Sequence, residues 1–588
     1  PGVTVRQRDD LDAVQRELRE MPGVSAIIYD QTCASEKRRR RKRGAYPDPA
    51  KRAVINELVC EGCGDCSVKS NCLSVEPLET EFGRKRRINQ STCNKDFSCV
   101  KGFCPSFVTV EGGRLKKGKS PARVGPADEL PPLPAVTPAP LAAPYGVLVT
   151  GIGGTGVITI GQILAMAAHL EGKGVSVLDM SGLAQKYGAV MSHVKIAATP
   201  EQLHAARLGS GDASLVVGCD LVVTASTDAL DKMNPVRTRA VVNATTTPTA
   251  DFVRNPNWQL PGSDLRHDIA QAAGENNVAF IPAAELATNL LGDSIATNMF
   301  MLGYAYQKGW VPLSATALER AIQLNGVSVE FNMQSFQWGR RAAVDLERVR
   351  RIAVPAEVIP LDQHLSRNLD ELIERRVQQL TGYQSAAYAA RYRSLVDRAR
   401  KTEQEKTGSS KLAEAVARYY AKLMAYKDEY EVARLYAEGE FAKTIENMFE
   451  GDYKVVFHLA PPLLARPDAR TGEPRKMRFG PWMMSAFKVL ARLKGLRGGP
   501  LDPFGRTEER HAERALVREY EETVAQLLAG LTRDNHALAL EIASLPEEIR
   551  GFGHIKMRSI VEARRKRAEL LERWRSAGTQ PAIQRAAA

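Results

Sequence analysis

The sequence lacks any run of about 18 uncharged apolar residues, the minimum for a membrane-spanning helix. Its amino terminus, PGVTVRQRDDLDAVQRELRE, is charged and has no apolar signal core. Aromatic residues are few, at 6%, although the hydrophobic fraction of 44% is ample for buried cores. These features argue against a membrane protein and a wholly disordered chain. They predict a cytoplasmic protein with about three to five domains.

Positive charge is concentrated in two short runs. The net charge of +13 is close to the eleven positive charges that Lys37–Arg43 and Arg84–Arg87 contribute together. Such runs form solvated basic faces, bind phosphates, or attract an acidic redox partner or a phosphate-bearing cofactor. No recognition module accompanies them, so we do not expect nucleic-acid binding.

Cysteine is scarce and clustered, since seven of the nine cysteines lie between Cys60 and Cys104. In a chain without a signal sequence, such clustering predicts metal binding rather than disulfides. The spacing is C-x2-C-x2-C followed by a remote Cys-Pro, which is typical of bacterial ferredoxins. We therefore expect one 4Fe–4S cluster on Cys60, Cys63, Cys66 and Cys104. A tetrahedral zinc site is the alternative.

The second half of the cysteine pattern is imperfect. Asp96 stands between Cys93 and Cys99, where the ferredoxin pattern has a cysteine. With Cys72 as the crossing ligand, a second site would have three thiolates and one carboxylate. A harder oxygen ligand binds that iron less firmly, so this site would hold a labile 4Fe–4S cluster, a 3Fe–4S cluster or nothing. Alternatively, these residues are structural thiols and a surface aspartate.

Composition shifts divide the chain into five segments. The first contains a helical pattern, a strand-like VSAIIYD and a basic run, and it is too small to form a core alone. The second contains the cysteines. The third includes PPLPAVTPAPLAAP, which predicts an extended linker. The fourth alternates strands and helices, and the fifth is mainly helical. Their bounds are residues 1–48, 49–115, 116–144, 145–350 and 351–588.

The fourth segment begins with a strand, a glycine turn and a helix. Apolar runs YGVLVT, VSVLDM, SLVVG, DLVVTAS, AVVNAT and VAFIPA predict strands of a mostly parallel, doubly wound sheet. The turn contains Gly151, Gly153, Gly154 and Gly156. Such a turn can hold the phosphates of a dinucleotide, with Asp179 on the ribose. It can equally serve only to join strand to helix, and both interpretations remain open.

In the fifth segment, strand signals nearly vanish and amphipathic helices rich in Ala, Leu, Glu and Arg follow one another. Two aromatic stretches, beginning at Tyr453 and Met477, interrupt the helices. We interpret them as irregular and suited to docking.

Taken in order, these segments resemble the carboxyl-terminal half of the large fused bacterial indolepyruvate ferredoxin oxidoreductases. Those proteins are thiamine-diphosphate-dependent 2-oxoacid:ferredoxin oxidoreductases. The resemblance is carried by DQTCASEKRRRRKRG, the cysteine segment VCEGCGDCSVKSNC to CVKGFCPSF, GIGGTGVITIGQILAMAAHLEG, KGLRGGPLDPFGRTEER and LPEEIRGFGHIK.

The resemblance implies an α/β multidomain fold. It comprises a ferredoxin-like iron–sulfur module, a doubly wound Rossmann-like gamma domain and a mainly helical family-specific extension. The implied reaction is oxidative decarboxylation of an aryl pyruvate with coenzyme A, giving an acyl-CoA and CO2 while ferredoxin is reduced. The gamma domain of the family is linked to coenzyme A, which weakens the dinucleotide interpretation. Gln185–Gly188 departs from the family's Gln-Arg-Gly-Gly, so the resemblance gives Lys186 no role.

The thiamine-diphosphate motif of the family, Gly-Asp-Gly followed by an asparagine, is absent. Thiamine diphosphate and Mg2+ are therefore expected in another part of the enzyme. On this view residues 1–48 are the tail of a thiamine-diphosphate-binding domain, and the chain is a fragment or a subunit. The family also implies a homodimer of full-length chains. A separate hypothesis, based on charge, is that Lys37–Arg43 attracts coenzyme A phosphates or the acidic carrier.

Some questions stay open at this stage. The sequence assigns no catalytic residue and does not identify the 2-oxoacid. Two other functions remain alternatives. One is an NAD(P)-linked iron–sulfur reductase, and the other is a zinc-stabilised nucleic-acid-binding protein.

Overall fold

The computed structural model describes residues 3–116, 130–182, 188–353, 365–438, 440–462, 465, 472 and 474–579. The chain forms two units, Pro1–Pro49 and Ala50–Ala588. In the part of the chain that the structure describes, no helix is long and apolar enough to cross a membrane.

The smaller unit contains helices α1 (Leu11–Arg19) and α2 (Ala34–Lys42), and α2 includes most of the basic run. The strand predicted for VSAIIYD is wrong. Residues 24–30 form no strand and are exposed, including Ile28. A strand needs a neighbour to pair its backbone groups, and the described residues of this unit include no other strand.

The larger unit begins with the cysteine-containing module. Its elements are β1 (Lys51–Ile55), α3 (Asp65–Ser70), β2 (Val75–Thr80), β3 (Gly83–Ile88) and β4 (Phe107–Leu115). The strands pair in two antiparallel sets, β2 with β3 and β1 with β4. β3 buries the adjacent residues Lys85 and Arg86, whose side chains point to opposite faces of the hairpin, and exposes Arg87.

The α/β domain follows, as predicted. Its strands are β5 (Tyr145–Ile152), β6 (Gly174–Ser181), β7 (Ala189–Ala197), β8 (Ala213–Gly218), β9 (Arg239–Asn243) and β10 (Val278–Ile281). Its helices are α4 (Val157–Leu170), α5 (Leu221–Thr224), α6 (Thr227–Leu230), α7 (Ala250–Arg254), α8 (Gly262–Ala273), α9 (Ala283–Leu291), α10 (Thr297–Gln307), α11 (Ala315–Asn325), α12 (Val329–Val344) and α13 (Leu346–Ala353).

The six strands form one sheet in the order β10-β9-β8-β5-β7-β6. The four strands from β10 to β5 are parallel, and β7 runs antiparallel to both β5 and β6. Sequence patterns missed β7 and wrongly predicted a strand in DLVVTAS. That segment begins α5, because the carboxylate of Asp220 accepts the amide of Val223 and caps a helical turn.

Residues 130–141 of the proline-rich segment have no regular secondary structure, and they pack against the α/β domain. Gln307 donates to the carbonyl of Pro134 at 2.8 Å, and Leu130, Val136 and Leu141 pack on the core of the domain. Apolar residues between the prolines explain this packing, since each removes apolar surface from water.

The remainder of the larger unit is mainly helical. Its elements are α14 (Leu369–Tyr383), α15 (Ala386–Thr407), α16 (Lys411–Met424), α17 (Glu429–Ala437), α18 (Phe441–Met448), β11 (Phe449–Leu459), β12 (Met477–Phe479), α19 (Met483–Arg492), α20 (Glu508–Gly530), α21 (His536–Ser544) and α22 (Gly553–Thr579). Its main core includes the stacked rings of Tyr392, Tyr420 and Tyr520.

The stretches at Tyr453 and Met477 are only partly irregular, which corrects the sequence interpretation. They contain β11 and β12, which extend the sheet of the cysteine module in the order β1-β4-β11-β12. Tyr436, Phe457 and Phe487 of the extension pack in one core with Phe107 of the module. The module and the extension therefore share a sheet and a core.

Candidate iron–sulfur site

The loop after β1 carries Cys60 and Cys63 and leads into α3, where Cys66 lies. Asn56 fixes its start, because its side-chain oxygen accepts the amides of Leu58 and Val59 and its carbonyl accepts the amide of Cys60. These bonds turn the backbone so that successive cysteines of the loop can face one centre.

Glycine is required in this loop for steric reasons. Gly62 and Gly64 have φ of +66° and +83°, values that side chains disfavour. A Cβ at Gly62 would also lie 2.2 Å from the carbonyl oxygen of Arg84. The cysteine loop therefore lies directly against β3.

The structure brings together the four thiols predicted to hold the first cluster. Burial raises the pKa of the Cys60, Cys63 and Cys66 thiols, and the charge of Cys104 raises each of them further. Such mutual repulsion requires the four sulfur atoms to be near neighbours. The sulfur of Cys104 also lies 2.9 Å from the hydroxyl of Ser106.

A second loop repeats the first, 33 residues further along the chain. Asn89 accepts the amides of Ser91 and Thr92 through its side chain and the amide of Cys93 through its carbonyl. Lys95 has φ of +54° and takes the place of Gly62. This repeat puts Asp96 at the position that Cys63 has in the first loop and Cys99 at the position of Cys66.

The second set of predicted ligands is also together. The pKa of the Cys99 thiol is raised by burial and by the charges of Cys93, Cys72 and Asp96. Asp96 is exposed, and its carboxylate accepts the amide and the hydroxyl of Ser98 at 3.2 and 3.1 Å. Its carboxylate therefore already has hydrogen-bond partners, and whether it also binds iron stays a prediction.

Among the described residues, no group of three or more His, Cys, Asp or Glu side chains is placed to hold a metal ion. An iron–sulfur cubane needs a wider arrangement than a single ion, because each thiolate binds a different iron atom. The residues around the thiols therefore indicate whether the site suits an iron–sulfur cluster.

Arg86 of β3 is the most informative neighbour of the thiols. Its side chain is 1% exposed, and its Nε and Nη1 have no hydrogen-bond partner within the described part of the chain. Its guanidinium lies 4.0 Å from the ring centre of Phe252 and interacts with the charges of Cys66, Cys60 and Cys63. A buried, incompletely bonded cation beside thiols suits a cluster with net negative charge, so these residues fit an iron–sulfur cluster.

Two lysines of the helical extension also lie beside the thiols, and sequence reasoning missed both. Lys427 donates to the carbonyl of Cys60 at 3.1 Å and pairs with Glu61 at 2.5 Å. Lys476 donates to the carbonyl of Val100 at 3.2 Å and interacts with the charge of Cys104. No local pattern could identify them, because they lie more than 300 residues from the cysteines along the chain.

The basic run Arg84–Arg87 is not simply a solvated face. Lys85 and Arg86 are buried, whereas Arg87 is exposed. Arg84 donates to the carbonyl of Trp258 at 3.0 Å, which joins the hairpin to the α/β domain. This run therefore connects the module to its neighbours.

The glycine turn joins β5 to α4. Gly154 and Gly156 have φ of +83° and +98°. A Cβ at Gly151 would lie 2.6 Å from Val157, and the amide of Gly153 bonds to the carbonyl of Gly188. Local geometry accounts for these glycines, and a cofactor at the turn stays a prediction.

The sheet order does not favour the dinucleotide interpretation. In a dinucleotide-binding domain the second strand lies beside the first and parallel to it. Here β7 separates β6 from β5, which moves Asp179 about 10 Å from the first strand. Lys186 lies outside the described residues.

Two family models match the chain. Residues 146–342 match pyruvate ferredoxin/flavodoxin oxidoreductase, and residues 369–569 match a family of unknown function, DUF6537.

Similar proteins cover the α/β domain. Indolepyruvate oxidoreductase subunit IorB of Thermococcus kodakarensis is 25% identical over 206 residues, which is 34% of this chain and 97% of that protein. The IorB subunit of Methanothermobacter thermautotrophicus is 27% identical over 203 residues, which is 34% of this chain and 98% of that protein. The solved structure of pyruvate oxidoreductase subunit PORC from Thermotoga maritima is 20% identical, covers 34% of this chain and 96% of that chain, and gives a TM-score of 0.25. The α/β domain is thus similar to the pyruvate ferredoxin/flavodoxin oxidoreductase family and to curated indolepyruvate oxidoreductase subunits.

Proposed function

We propose that the chain is the electron-transfer and gamma-domain part of an indolepyruvate, or aryl pyruvate, ferredoxin oxidoreductase. Residues 49–115 would form its ferredoxin-like iron–sulfur module and residues 145–350 its gamma domain. The enzyme would convert the 2-oxoacid and coenzyme A to an acyl-CoA and CO2, and pass two electrons to ferredoxin.

One observation carries this proposal. The thiols of Cys60, Cys63, Cys66 and Cys104 lie together beside the buried Arg86, whose Nε and Nη1 have no hydrogen-bond partner among the described residues. They occur in one chain with a domain of an oxidoreductase family that transfers electrons to ferredoxin or flavodoxin. A cluster bound to these thiols would supply one-electron acceptance and donation.

The chain's own residues would hold and tune the cluster. Asn56 and Gly62 shape the loop that presents the thiolates. Arg86, Lys427 and Lys476 surround them with positive charge, which lowers the cost of adding an electron to a buried anionic group. Burial of Cys60 and Cys66 limits access of water to the site.

Indolepyruvate is proposed as the substrate because curated relatives of the α/β domain are named indolepyruvate oxidoreductase subunits. A partner is needed for the reaction. It would carry thiamine diphosphate and Mg2+, since the chain lacks the motif for them. Ferredoxin would be the electron acceptor.

The test is anaerobic reduction followed by visible absorbance. The chain, at about 0.1 mM, is mixed with a thiamine-diphosphate-binding partner, coenzyme A and indolepyruvate. Reduction of the cluster is followed as bleaching of its absorbance near 400 nm. We expect bleaching that requires coenzyme A and is reversed by oxidised ferredoxin. Bleaching by NADH without partner or indolepyruvate would contradict the proposal and support an NAD(P)-linked reductase.

A further inference from the structure

A cavity of about 670 Å³ lies between the β2–β3 hairpin and the helices of the extension. None of the cysteines and none of the glycines of the turn line it, although Glu61 and Lys427, which neighbour Cys60, do. Its apolar wall includes Leu58, Phe82, Leu423, Leu516 and Ile549. Its volume is that of a site for a small organic ligand.

Most carboxylates that line this cavity are already paired. Glu61 lies 2.5 Å from the ammonium group of Lys427, and Glu513 lies 2.5 Å from that of Lys556. Glu431 pairs with Arg434, which is also in α17, at 2.7 Å. Glu61 acts on Lys85, Lys422 and Lys556 as well as on Lys427, so this one carboxylate is shared by four cations of the wall.

Lys85 has no carboxylate to itself, because Glu61, whose charge acts on it, is also paired with Lys427. Its side chain lines the cavity and is 6% exposed, and its ammonium group has no acceptor among the described residues. Burial and the charge of Lys427 lower its pKa to about 7. Because Glu61 is shared, the buried Lys85 cation is incompletely compensated, and an anion in the cavity would stabilise it.

Two further groups on the same wall are incompletely satisfied. Lys422 donates only to the main-chain carbonyls of Pro546 and Glu547, at 2.8 and 3.0 Å. Burial lowers its pKa to about 7, and Lys85 is one of the charges acting on it. Arg376 is buried, and its Nη1 has no hydrogen-bond partner.

We propose that this cavity binds a small organic anion, whose carboxylate or phosphate group is held by Lys85 and Lys422. The apolar body of the anion packs against Phe82, Leu423 and Ile549. The inference goes beyond the proposed function and does not depend on a cluster at the cysteines. It gives a binding role to the segment that matches a family of unknown function.

The test is isothermal titration calorimetry on the full chain with three aryl probes. Phenyl phosphate and benzoate carry the two candidate anionic groups, and benzamide is an uncharged analogue. We expect at least one anion to bind at one site per chain, about tenfold more tightly than benzamide. Tighter binding of phenyl phosphate would indicate a phosphate ester as the ligand, and tighter binding of benzoate a carboxylate.

Variants separate this site from binding elsewhere. Lys85→Met is expected to weaken anion binding by about tenfold or more, and Lys85→Arg to retain it because the charge stays. Lys411→Met removes an exposed lysine of α16 and is expected to leave binding unchanged. If circular dichroism shows that Lys85→Met does not fold, Lys422→Met takes its place with the same expected loss. No binding of either anion at millimolar concentration, equal binding of benzamide, or full binding by the folded methionine variant would overturn the proposal.

Discussion

The amide of Lys95 donates a hydrogen bond of 3.4 Å to the sulfur atom of Cys93, as the amide of Gly62 donates one of 3.3 Å to Cys60. The two loops are thus copies of one structure, and they place Asp96 where the first loop has Cys63. Only one of the two therefore has a complete ferredoxin set of thiols.

The completeness of the first set leads to a prediction on iron content. Cys66→Ser should remove about four irons per chain and the corresponding acid-labile sulfide, because a cubane needs its thiolates. Iron and sulfide analysis under anaerobic conditions measures the loss. Cys33→Ser removes an exposed thiol in the smaller unit and should change neither. An unchanged iron content in Cys66→Ser would show that this thiol is not a ligand.

Asp96→Cys should complete the second set. The substituted thiol would stand where Cys63 stands in the first loop, and a soft ligand holds cluster iron more firmly than a carboxylate. We expect either additional iron or slower loss of iron in the presence of a chelator. Ser98→Ala is the control, since it removes one hydrogen bond to Asp96 and adds no ligand. If Asp96→Cys behaves like wild type in both assays, the second loop does not hold a cluster.

Arg86→Met should make the first cluster harder to reduce. Loss of a buried positive charge beside the thiols disfavours the added electron, so the midpoint potential should fall by on the order of tens of millivolts. A redox titration followed by electron paramagnetic resonance measures this shift. Arg87→Met, at the exposed neighbouring position of β3, should shift it far less. Equal shifts in both variants would contradict the role given to Arg86.

How much of this site could be predicted from sequence depends on how local each signal is. The spacing of Cys60, Cys63 and Cys66 lies within one loop, so the motif identified them directly. Lys427 and Lys476 are placed by packing of the extension on the module, which no local pattern reports.

The fold also contains elements that local sequence patterns predict and elements that depend on long-range packing. Strands such as β5 and β8 are apolar throughout and were predicted. DLVVTAS has equally apolar, β-branched residues, but the cap provided by Asp220 and its tertiary position make it helical. The sheet position of β11 depends on pairing with β4, more than 330 residues earlier, and could not be read from its own sequence.

Gly62→Ala should destabilise the protein more than Gly83→Ala. Both glycines have positive φ, at +66° and +85°, which costs alanine about 1–2 kcal/mol. A Cβ added at Gly62 would lie 2.2 Å from a backbone carbonyl oxygen, whereas a Cβ added at Gly83 would have no neighbouring atom of the described residues within 4 Å. The clash should add at least about 1 kcal/mol to the loss of unfolding free energy. Denaturant unfolding compares the two variants, and equal losses would contradict the close approach of the loop to β3.

His458 should weaken the fold in acid. Burial and the charges of Lys476, Lys51 and Arg478 lower its pKa to about 4, and its Nε2 lies 3.0 Å from the hydroxyl of Thr109. The unfolded chain binds a proton near pH 6.5 and the folded chain does not, so stability falls as the pH drops from 6.5 towards 4.

His458→Gln should remove this contribution, which is about 1–3 kcal/mol. Unfolding free energies of wild type and His458→Gln, measured by denaturant between pH 7 and pH 4, should therefore converge or cross as the pH falls. His511→Gln changes an exposed histidine and should follow the wild-type profile. Parallel curves for wild type and His458→Gln would contradict a neutral, buried His458.

The most direct test of the central claim is the metal content of the anaerobically purified chain, with electron paramagnetic resonance after reduction by dithionite. We expect at least about four irons with matching acid-labile sulfide, and a spectrum of a reduced 4Fe–4S cluster. About eight irons with two interacting spins would show that the second loop also binds a cluster. A colourless protein containing zinc and no sulfide would contradict the iron–sulfur site and, with it, the proposed electron-transfer function.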